Sequence, residues 1–385
     1  MANVTESNSG VVQLMTLALG AFVTFFPKEV EWFVDRWGQP GRPTDPLAHW
    51  PTDMLADVTP VACHSHNDYW RRVPLFSALE AGCISVEADV WLFDDDLYVG
   101  HTTSSLTVNR TLSNLYINPL LEILSNQNPT THFHPSLDTP PNGVFDTDPS
   151  QSLVLLVDFK AKGKAIWPYL IRQLSPLRDR GYLTHFNGTS IIQRPITVVA
   201  TGDAPFDLVV ANRNYRDVFF DAPLGDLTGF GKGHAATSAP HLVDDDDEEL
   251  DLDGIHLSAS GFRPSRISLR MGNSKSKLDT QKKPAPDPAI YDQSNSFYAS
   301  VSFKRSIGFP WGFHLSSNQL ETIRAQVNAA HARGLKVRYW SIPSWPRSLR
   351  NHLWAALVRE GVDILNVDDL RAATRQDWFK LVKKR

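Results

Sequence analysis

The sequence predicts an α/β protein built as a closed TIM-type (β/α)8 barrel. Eight short apolar runs follow one another from residue 59 onward, and segments at helical spacing lie between them. This alternation is typical of βα units and a parallel sheet. Several of the runs are nearly continuous in β-branched residues, as expected for strands covered on both faces. A chain of 385 residues is long enough for such a barrel, which commonly uses about 250 residues as one domain.

The individual elements can be placed along the chain. Strands are expected at 59–64, 83–90, 152–160, 195–201, 217–221, 297–303, 336–341 and 362–367. Helices are expected at 74–81, 113–125, 164–180, 204–213, 317–333, 347–360 and 369–382. Four glycines stand between a helix and the next strand, where a left-handed helix stop needs glycine, and these are Gly82, Gly181, Gly334 and Gly361. An open doubly wound sheet is the alternative, but no glycine-rich phosphate loop follows the first strand.

Composition limits the partners and the cysteine chemistry. The formal net charge is −4, which gives no bulk attraction to nucleic acid. Aromatic residues make up 10% of the chain, enough for a large core. Two cysteines, Cys63 and Cys83, cannot form a disulfide scaffold or a four-thiolate zinc site. One bridge between their adjacent strands is conceivable, but buried free thiols are the expectation.

The N-terminal part of the chain precedes the predicted barrel. An apolar run at 11–26 lies within a segment, 1–27, that is expected to be a signal, an anchor or a docked helix. Residues 28–56 form a leader. Three glycosylation sequons begin at Asn3, Asn109 and Asn187. Together these features favour a secreted or membrane-associated protein over an intracellular one.

The barrel domain is expected to span 57–385, with two stretches that interrupt its rhythm. Residues 128–150 are rich in Pro, Thr and Asn and predict a long loop. Residues 229–296 contain the acidic run Asp244–Glu249 and a basic, Ser/Pro-rich part. Such a composition buries too little apolar surface to fold alone, which predicts a mobile insertion between strands five and six.

Acidic residues recur at the C-terminal ends of the predicted strands, where barrels of this type hold their working groups. Glu87 and Asp89 are two apart on strand two, so both side chains face the barrel interior. Asp158 ends the neighbouring strand three. Three carboxylates with room for water suit Mg²⁺ or Ca²⁺, which prefer oxygen ligands. The alternative is a salt-bridge network with Lys160 and an arginine.

Histidines at the same end favour catalysis. Strand one delivers His64 and His66, and His101 follows Glu87 after a short extended segment. Two imidazoles on opposite sides of a phosphate could divide acid and base catalysis between them. A His-x-His pair would also suit a zinc amidohydrolase, but that site needs further histidines at the ends of strands five and six, and the sequence does not place them there.

The segment from His64 to His101, followed by LLVDFK, resembles the phospholipase C-like phosphodiesterase superfamily. That superfamily includes glycerophosphodiester phosphodiesterases and the sphingomyelinase D/phospholipase D toxins. Within it, the chain is similar to the fungal family named for altered inheritance of mitochondria protein 6. The matching segments are HSHNDYW, SVEADVW, LYVGH, DAPL, RYWSIPSWP and LNVDDL.

The resemblance implies a barrel of the phospholipase C-like phosphodiesterase type with a divalent metal, Mg²⁺ before Ca²⁺, on Glu87, Asp89 and Asp158. It gives His101 the role of the second histidine and leaves the first to His64 or His66. It places Lys160 and Trp340 at the substrate. One departure is that no arginine follows either histidine of strand one, so Asn67 is expected to bind phosphate instead.

The expected function is therefore that of a metal-dependent phosphoric diester hydrolase. Its substrate would be phospholipid-like or a glycerophosphodiester, met in solution or at a membrane surface. A non-catalytic barrel that binds phospholipid headgroups is the alternative from another class, and the zinc amidohydrolase comes third.

Overall fold

The structure is a computed structural model that describes residues 55–133, 135–136, 139–228, 287–375 and 378–379, apart from the side chain of Trp311. The chain divides into two compact units, Met1–Ala56 and Asp57–Arg385. The predicted N-terminal segment at 1–27, nearly all of the leader and most of the predicted insertion, 229–286, lie outside the described residues.

Eight parallel strands close into a barrel, which confirms the predicted fold class. The sheet runs in the order β1-β11-β10-β9-β8-β7-β4-β2, and β1 also pairs with β2, which completes the ring. The barrel strands are β1 (Val61–Ser65), β2 (Cys83–Phe93), β4 (Leu153–Phe159), β7 (Ile196–Gly202), β8 (Val218–Pro223), β9 (Ser296–Ser302), β10 (Lys336–Trp340) and β11 (Ile364–Val367). Outside the ring, β3 (Asp96–Val99) extends β2 as a hairpin, and β5 (His185–Phe186) pairs with β6 (Ile191–Ile192).

Helices connect successive strands on the outside of the ring. They are α1 (Phe76–Ala81), α2 (Asn118–Gln127), α3 (Gly163–Gln173), α4 (Ser175–Asp179), α5 (Phe206–Val209), α6 (Leu224–Leu227), α7 (Phe303–Ser306), α8 (Ser317–His331), α9 (Arg347–Arg359) and α10 (Leu370–Thr374). A π-helical turn, Ser113–Ile117, precedes α2. Short 3₁₀ turns lie at Asp68–Trp70, Thr103–Ser105, Pro288–Ile290 and Trp311–Phe313.

Burial and backbone conformation explain why the strand predictions succeed. Every residue of β4 is buried, as its continuous apolar run requires of a strand covered on both faces. All four glycines expected to stop helices have positive φ. At Gly82, φ is +91° and a Cβ atom would lie 2.5 Å from the carbonyl oxygen of Thr59, so no other residue fits there without a shift.

One predicted helix is much shorter than expected. The segment 204–213 holds only the single turn of α5. The side-chain oxygen of Asn212 accepts hydrogen bonds from the backbone N–H groups of Asn214 and Tyr215, at 2.9 and 3.1 Å. Such a side-chain-to-backbone turn competes with helical hydrogen bonding and directs the chain toward β8.

The prediction of free thiols was wrong, because Cys63 and Cys83 form a disulfide bond. The pairing of β1 with β2 shifts register between Val61 and His64. This irregularity leaves the two cysteine Cα atoms 4.8 Å apart, within bridging distance. Both residues are buried in the barrel wall.

Two further predictions can be compared with the structure over the described residues. The described end of the predicted insertion, from residue 287, packs on the barrel, since Tyr291 belongs to the hydrophobic core around α8 and β10. Among the described residues, no helix combines the length and apolar character needed to cross a membrane.

Candidate active site

Three acidic side chains meet at the C-terminal mouth of the barrel. Glu87 and Asp89 lie on β2, and Asp158 on β4 pairs in register with Asp89. Each contributes a carboxylate oxygen, and these oxygens all lie within 4.8 Å of one another. All three residues are buried. The predicted metal-ligating residues therefore form one cluster.

The donor set fits a divalent cation. Asp89 Oδ1 and Asp158 Oδ1 are buried, and neither has a hydrogen-bond partner among the described residues. A buried carboxylate oxygen without a partner is costly unless a cation or proton satisfies it. Burial raises the pKa of Asp89. The hydrogen bond from His101 lowers this pKa, but the charge of the neighbouring Asp158 raises it again, and the pKa stays above its usual value. An added positive charge would relieve this repulsion.

Lys160 forms part of the alternative ion-pair network. Its Nζ lies 2.7 Å from Asp158 Oδ2 and 2.9 Å from Asp89 Oδ2. Despite its burial, the two carboxylates raise the pKa of Lys160, so the ammonium stays charged. The arginine of that network is present as well, since Arg338 Nη1 lies 4.0 Å from Glu87 Oε2. Even with both cations, Asp89 Oδ1 and Asp158 Oδ1 remain without a hydrogen-bond partner in the described part of the chain.

Gly202 at the end of β7 makes room for the Asp158 carboxylate. It has φ +69°, and a Cβ atom there would lie 1.9 Å from Asp158 Oδ1. A side chain at this position would therefore displace the carboxylate as well as strain the backbone. The close approach explains why a glycine ends this strand.

His64 is fully buried and lies in a chain of hydrogen bonds beneath the carboxylates. Tyr298 donates to Ser85 Oγ at 3.2 Å, and Ser85 Oγ lies 2.6 Å from His64 Nδ1. His64 Nε2 lies 3.2 Å from Glu87 Oε2. Burial and the nearby Arg338 lower the pKa of His64 to about 4. Arg338 Nη1 also lies 3.1 Å from His64 Nε2, so both nitrogens of this neutral ring are engaged within the barrel.

His66 faces the mouth instead. Its side chain is 25% exposed, and its Nδ1 lies 2.8 Å from Asp368 Oδ1, in the loop after β11. Burial alone would lower the pKa of His66, but the hydrogen bond to Asp368 and the charge of Glu87 outweigh burial and raise it. An acid on one ring nitrogen and access on the other are what a catalytic histidine needs.

His101 occupies the mouth beside Asp89. Its Nδ1 lies 3.4 Å from Asp89 Oδ2 and 3.1 Å from the hydroxyl of Tyr69. The ring of Trp70 covers it at a centroid distance of 5.0 Å. The side chain of His101 is 28% exposed. His66 and His101 are therefore alike, because each contacts a carboxylate and is partly exposed to solvent.

Asn67 lies among these groups. It adopts the left-handed conformation, φ 46° and ψ 47°, which asparagine tolerates better than most residues, and its backbone N–H donates to Glu87 Oε2 at 3.3 Å. The Tyr69 hydroxyl lies 2.6 Å from both Asn67 Oδ1 and Asp89 Oδ2. A phenol has only one proton, so the Tyr69 hydroxyl donates to the Asp89 carboxylate. If the side-chain amide of Asn67 is rotated to exchange its oxygen and nitrogen, its NH₂ group donates to the phenol oxygen.

Trp340 ends β10, opposite Ser302 of β9, and is half-buried. The structure thus places this predicted substrate-binding residue at the mouth, on the side of the ring away from β2 and β4. It is the predicted site residue farthest along the sheet from the carboxylate cluster.

Sequence reasoning missed several residues of this site. Arg338 on β10 is buried, and its guanidinium donates to Asn366 at 2.9 Å and to Asp221 at 3.4 Å and lies 4.0 Å from Glu87. The sequence contains a signal for Arg338, because it is a charged residue inside an apolar strand. It also stands two positions before Trp340, so the two side chains lie on the same face of the strand. Tyr69 and Trp70 belong to the HSHNDYW segment, in which only the histidines and Asn67 are predicted site residues.

Comparisons with known proteins show the family to which similar chains belong. A protein-family model described as AIM6-like phosphodiesterase domain matches residues 52–221. The chain is 38% identical over 335 residues to altered inheritance of mitochondria protein 6 homolog of Arthroderma benhamiae, covering 85% of this chain and 87% of that protein. The chain belongs to the altered inheritance of mitochondria protein 6 family. The family member from Eremothecium gossypii is 33% identical over 322 residues, which cover 81% of this chain and 68% of that protein.

The family match concerns the part of the chain that holds the carboxylate cluster. The matched residues 52–221 include every predicted site residue except Trp340. The chain therefore carries a phosphodiesterase-type domain on a (β/α)8 barrel.

Proposed function

We propose that this family member is a metal-dependent phosphoric diester hydrolase that acts on a phospholipid-like or glycerophosphodiester substrate. The observation that carries the proposal is the combination at one mouth of three buried carboxylates, two of whose oxygens lack partners among the described residues, with two partly exposed histidines. Neither part alone would distinguish catalysis from a structural ion-pair network.

His66 activates the nucleophile in this proposal. Its accessible nitrogen takes the proton from a water molecule or a neighbouring substrate hydroxyl as the new P–O bond forms. Asp368 on the other nitrogen stabilises the imidazolium that results. His64 cannot take this role because it is fully buried and both of its ring nitrogens are engaged.

His101 is the general acid for the leaving group in this proposal. As the P–O bond to the leaving group breaks, the exposed side of the His101 ring supplies a proton to the departing oxygen. Asp89 and the Tyr69 hydroxyl hold the other nitrogen, and the Trp70 ring restricts the tilt of the imidazole. If a substrate hydroxyl attacks, the first product is a cyclic phosphate; if water attacks, it is a monoester.

Glu87, Asp89 and Asp158 would hold the cation, with Mg²⁺ proposed first and Ca²⁺ second on the basis of an all-oxygen donor set. A cation there would neutralise a phosphate oxygen and stabilise developing negative charge. Lys160, charged and 16% exposed, would contact another phosphate oxygen in this proposal. A zinc amidohydrolase is disfavoured because β8 and β9 end near Asp221 and Ser302 rather than histidines.

The test is a phosphorus NMR time course with Mg²⁺ on glycerophosphodiesters, lysophospholipids and sphingomyelin. The wild type should convert at least one of them to a cyclic phosphate or a monoester. His101→Gln should abolish that conversion, whereas His132→Gln, which changes an exposed histidine in the 128–150 loop, should not. A flat trace for the wild type with metal bound would reject hydrolysis and favour a barrel that binds phospholipid headgroups without turnover.

A further inference from the structure

Exposed aromatic side chains are concentrated at the barrel mouth. Among the described residues, seven large aromatic side chains are exposed. Two of them lie elsewhere: Phe133 in the 128–150 loop and Tyr215 before β8. The other five are on the last residue of, or the loop after, a barrel strand, and these are Trp70, Phe93, Phe309, Phe313 and Trp345.

Four of the five form what we call the aromatic rim: Trp70 after β1, Phe309 and Phe313 between α7 and α8 in the connection that follows β9, and Trp345 after β10. These strands belong to one continuous run of the sheet, β9-β10-β11-β1. The side chains of the rim are 55–79% exposed. The loops after β4 and β7, on the opposite side, contain no aromatic residue between strand and helix.

The segment that carries Phe313 lies against the helix that follows the Trp345 loop. The ring of His314, one residue after Phe313, contacts the ring of His352 in α9 at a centroid distance of 5.2 Å. That helix follows the loop holding Trp345. Because β9 and β10 pair with each other, the three aromatic side chains that follow them lie at the same edge of the mouth. Exposed apolar side chains gathered at one edge are typical of interaction sites.

The charge of these loops indicates an anionic partner for the aromatic rim. Exposed cations accompany each aromatic group: Arg72 near Trp70, Lys304 and Arg305 before Phe309, and Arg347 after Trp345. The loops after β9 and β10 contain no acidic residue, and the acid of the loop after β1, Asp68, is fully buried. The acids that follow β11 are paired, Asp368 with His66 and Asp369 with Arg350.

We infer that the aromatic rim docks the barrel mouth onto a phospholipid bilayer that contains anionic lipids. Aromatic side chains with cations beside them match the boundary between acyl chains and phosphate headgroups. Each cation near an anionic surface adds electrostatic attraction. The choice of a lipid surface rests on the proposed function, since the docked mouth would face the headgroup to be cleaved. An acidic protein surface is the competing occupant.

The inference is tested by sedimentation with vesicles of phosphatidylcholine, with and without phosphatidylserine. Asp89→Asn would serve as the background so that no lipid is consumed. We expect binding that requires phosphatidylserine and weakens with added salt. The double variant Phe313→Ser/Trp345→Ser should bind roughly tenfold or more weakly, which corresponds to the loss of partial burial of two aromatic side chains. The matched control Phe133→Ser/Tyr215→Ser should bind as the background protein does.

A second readout separates this inference from the proposed function. On water-soluble glycerophosphodiesters, Phe313→Ser/Trp345→Ser in the otherwise wild-type chain should keep wild-type turnover. No vesicle binding by the background protein, or equal binding by the rim variant, would overturn the docking surface, whatever the enzyme assay shows. Vesicle binding by a protein with no turnover on any substrate would leave the rim in place and reject the hydrolase.

Discussion

Nδ1 of His66 lies 2.8 Å from Oδ1 of Asp368, and this contact joins the end of β1 to the loop after β11, the first and last strands of the barrel, which pair in parallel. It also distinguishes the surroundings of the two histidines of strand one. His66 has an acid on one nitrogen and access at the mouth, whereas His64 is enclosed by Ser85 and Glu87.

The first prediction concerns pH. Because Asp368 raises the pKa of His66 above its usual 6.5, turnover that needs neutral His66 should rise with pH through a midpoint above 6.5. Asp368→Asn removes the charge and should move that acidic limb of kcat/KM to lower pH. A pH–rate profile of both proteins measures this. A shift of the alkaline limb instead would make His66 the acid and contradict the assignment.

The sequence predicted the barrel and the carboxylate cluster well, for a physical reason. Buried parallel strands require continuous apolar runs, so their positions are visible in the sequence, and side-chain alternation assigns Glu87 and Asp89 to one face. The same alternation applied to β10 would have revealed Arg338.

The choice between His64 and His66 was beyond the sequence. It depends on Asp368, which is 302 residues from His66 along the chain, and on the buried Ser85 and Tyr298. The disulfide depended on a register shift between β1 and β2, and counting cysteines gives no information on register.

The second prediction compares the two histidines directly. His66→Gln should lower turnover by about 10²–10⁴-fold, the usual contribution of a general base, with little change in the thermal midpoint. His64→Gln disturbs a buried chain of hydrogen bonds and should destabilise the fold by about 1–3 kcal/mol. Steady-state kinetics and thermal melting of both variants measure the difference. Full activity in His66→Gln would overturn its role.

The third prediction uses two glycines with nearly equal φ angles. Gly202→Ala should displace the Asp158 carboxylate and lower turnover by about 10²-fold, as misplacement of a reacting group by about 1 Å can do. Gly181→Ala is the control, since Gly181 has φ +70° against +69° for Gly202, but nothing lies within 4 Å of its added Cβ. Equal activity of the two variants would show that the close approach to Asp158 is unimportant.

The fourth prediction concerns the disulfide. Cys63 and Cys83 are separated by 20 residues, and closing a loop of that length stabilises a protein by about 3 kcal/mol in the chain-entropy account. The double variant Cys63→Ser/Cys83→Ser should therefore melt at a lower temperature than the wild type. Calorimetry of both proteins under oxidising conditions tests this, and an unchanged midpoint would refute a stabilising role.

The most direct test of the metal-dependent hydrolase is the rate of phosphodiester cleavage by chelator-treated protein, measured as Mg²⁺ is returned. We predict a background rate after chelation and a saturable recovery with Mg²⁺ in the wild type. Asp89→Asn, with its fold checked by circular dichroism, should stay at background across the titration. Turnover that resists chelation, or near wild-type recovery in Asp89→Asn, would contradict the assignment of the metal to Glu87, Asp89 and Asp158.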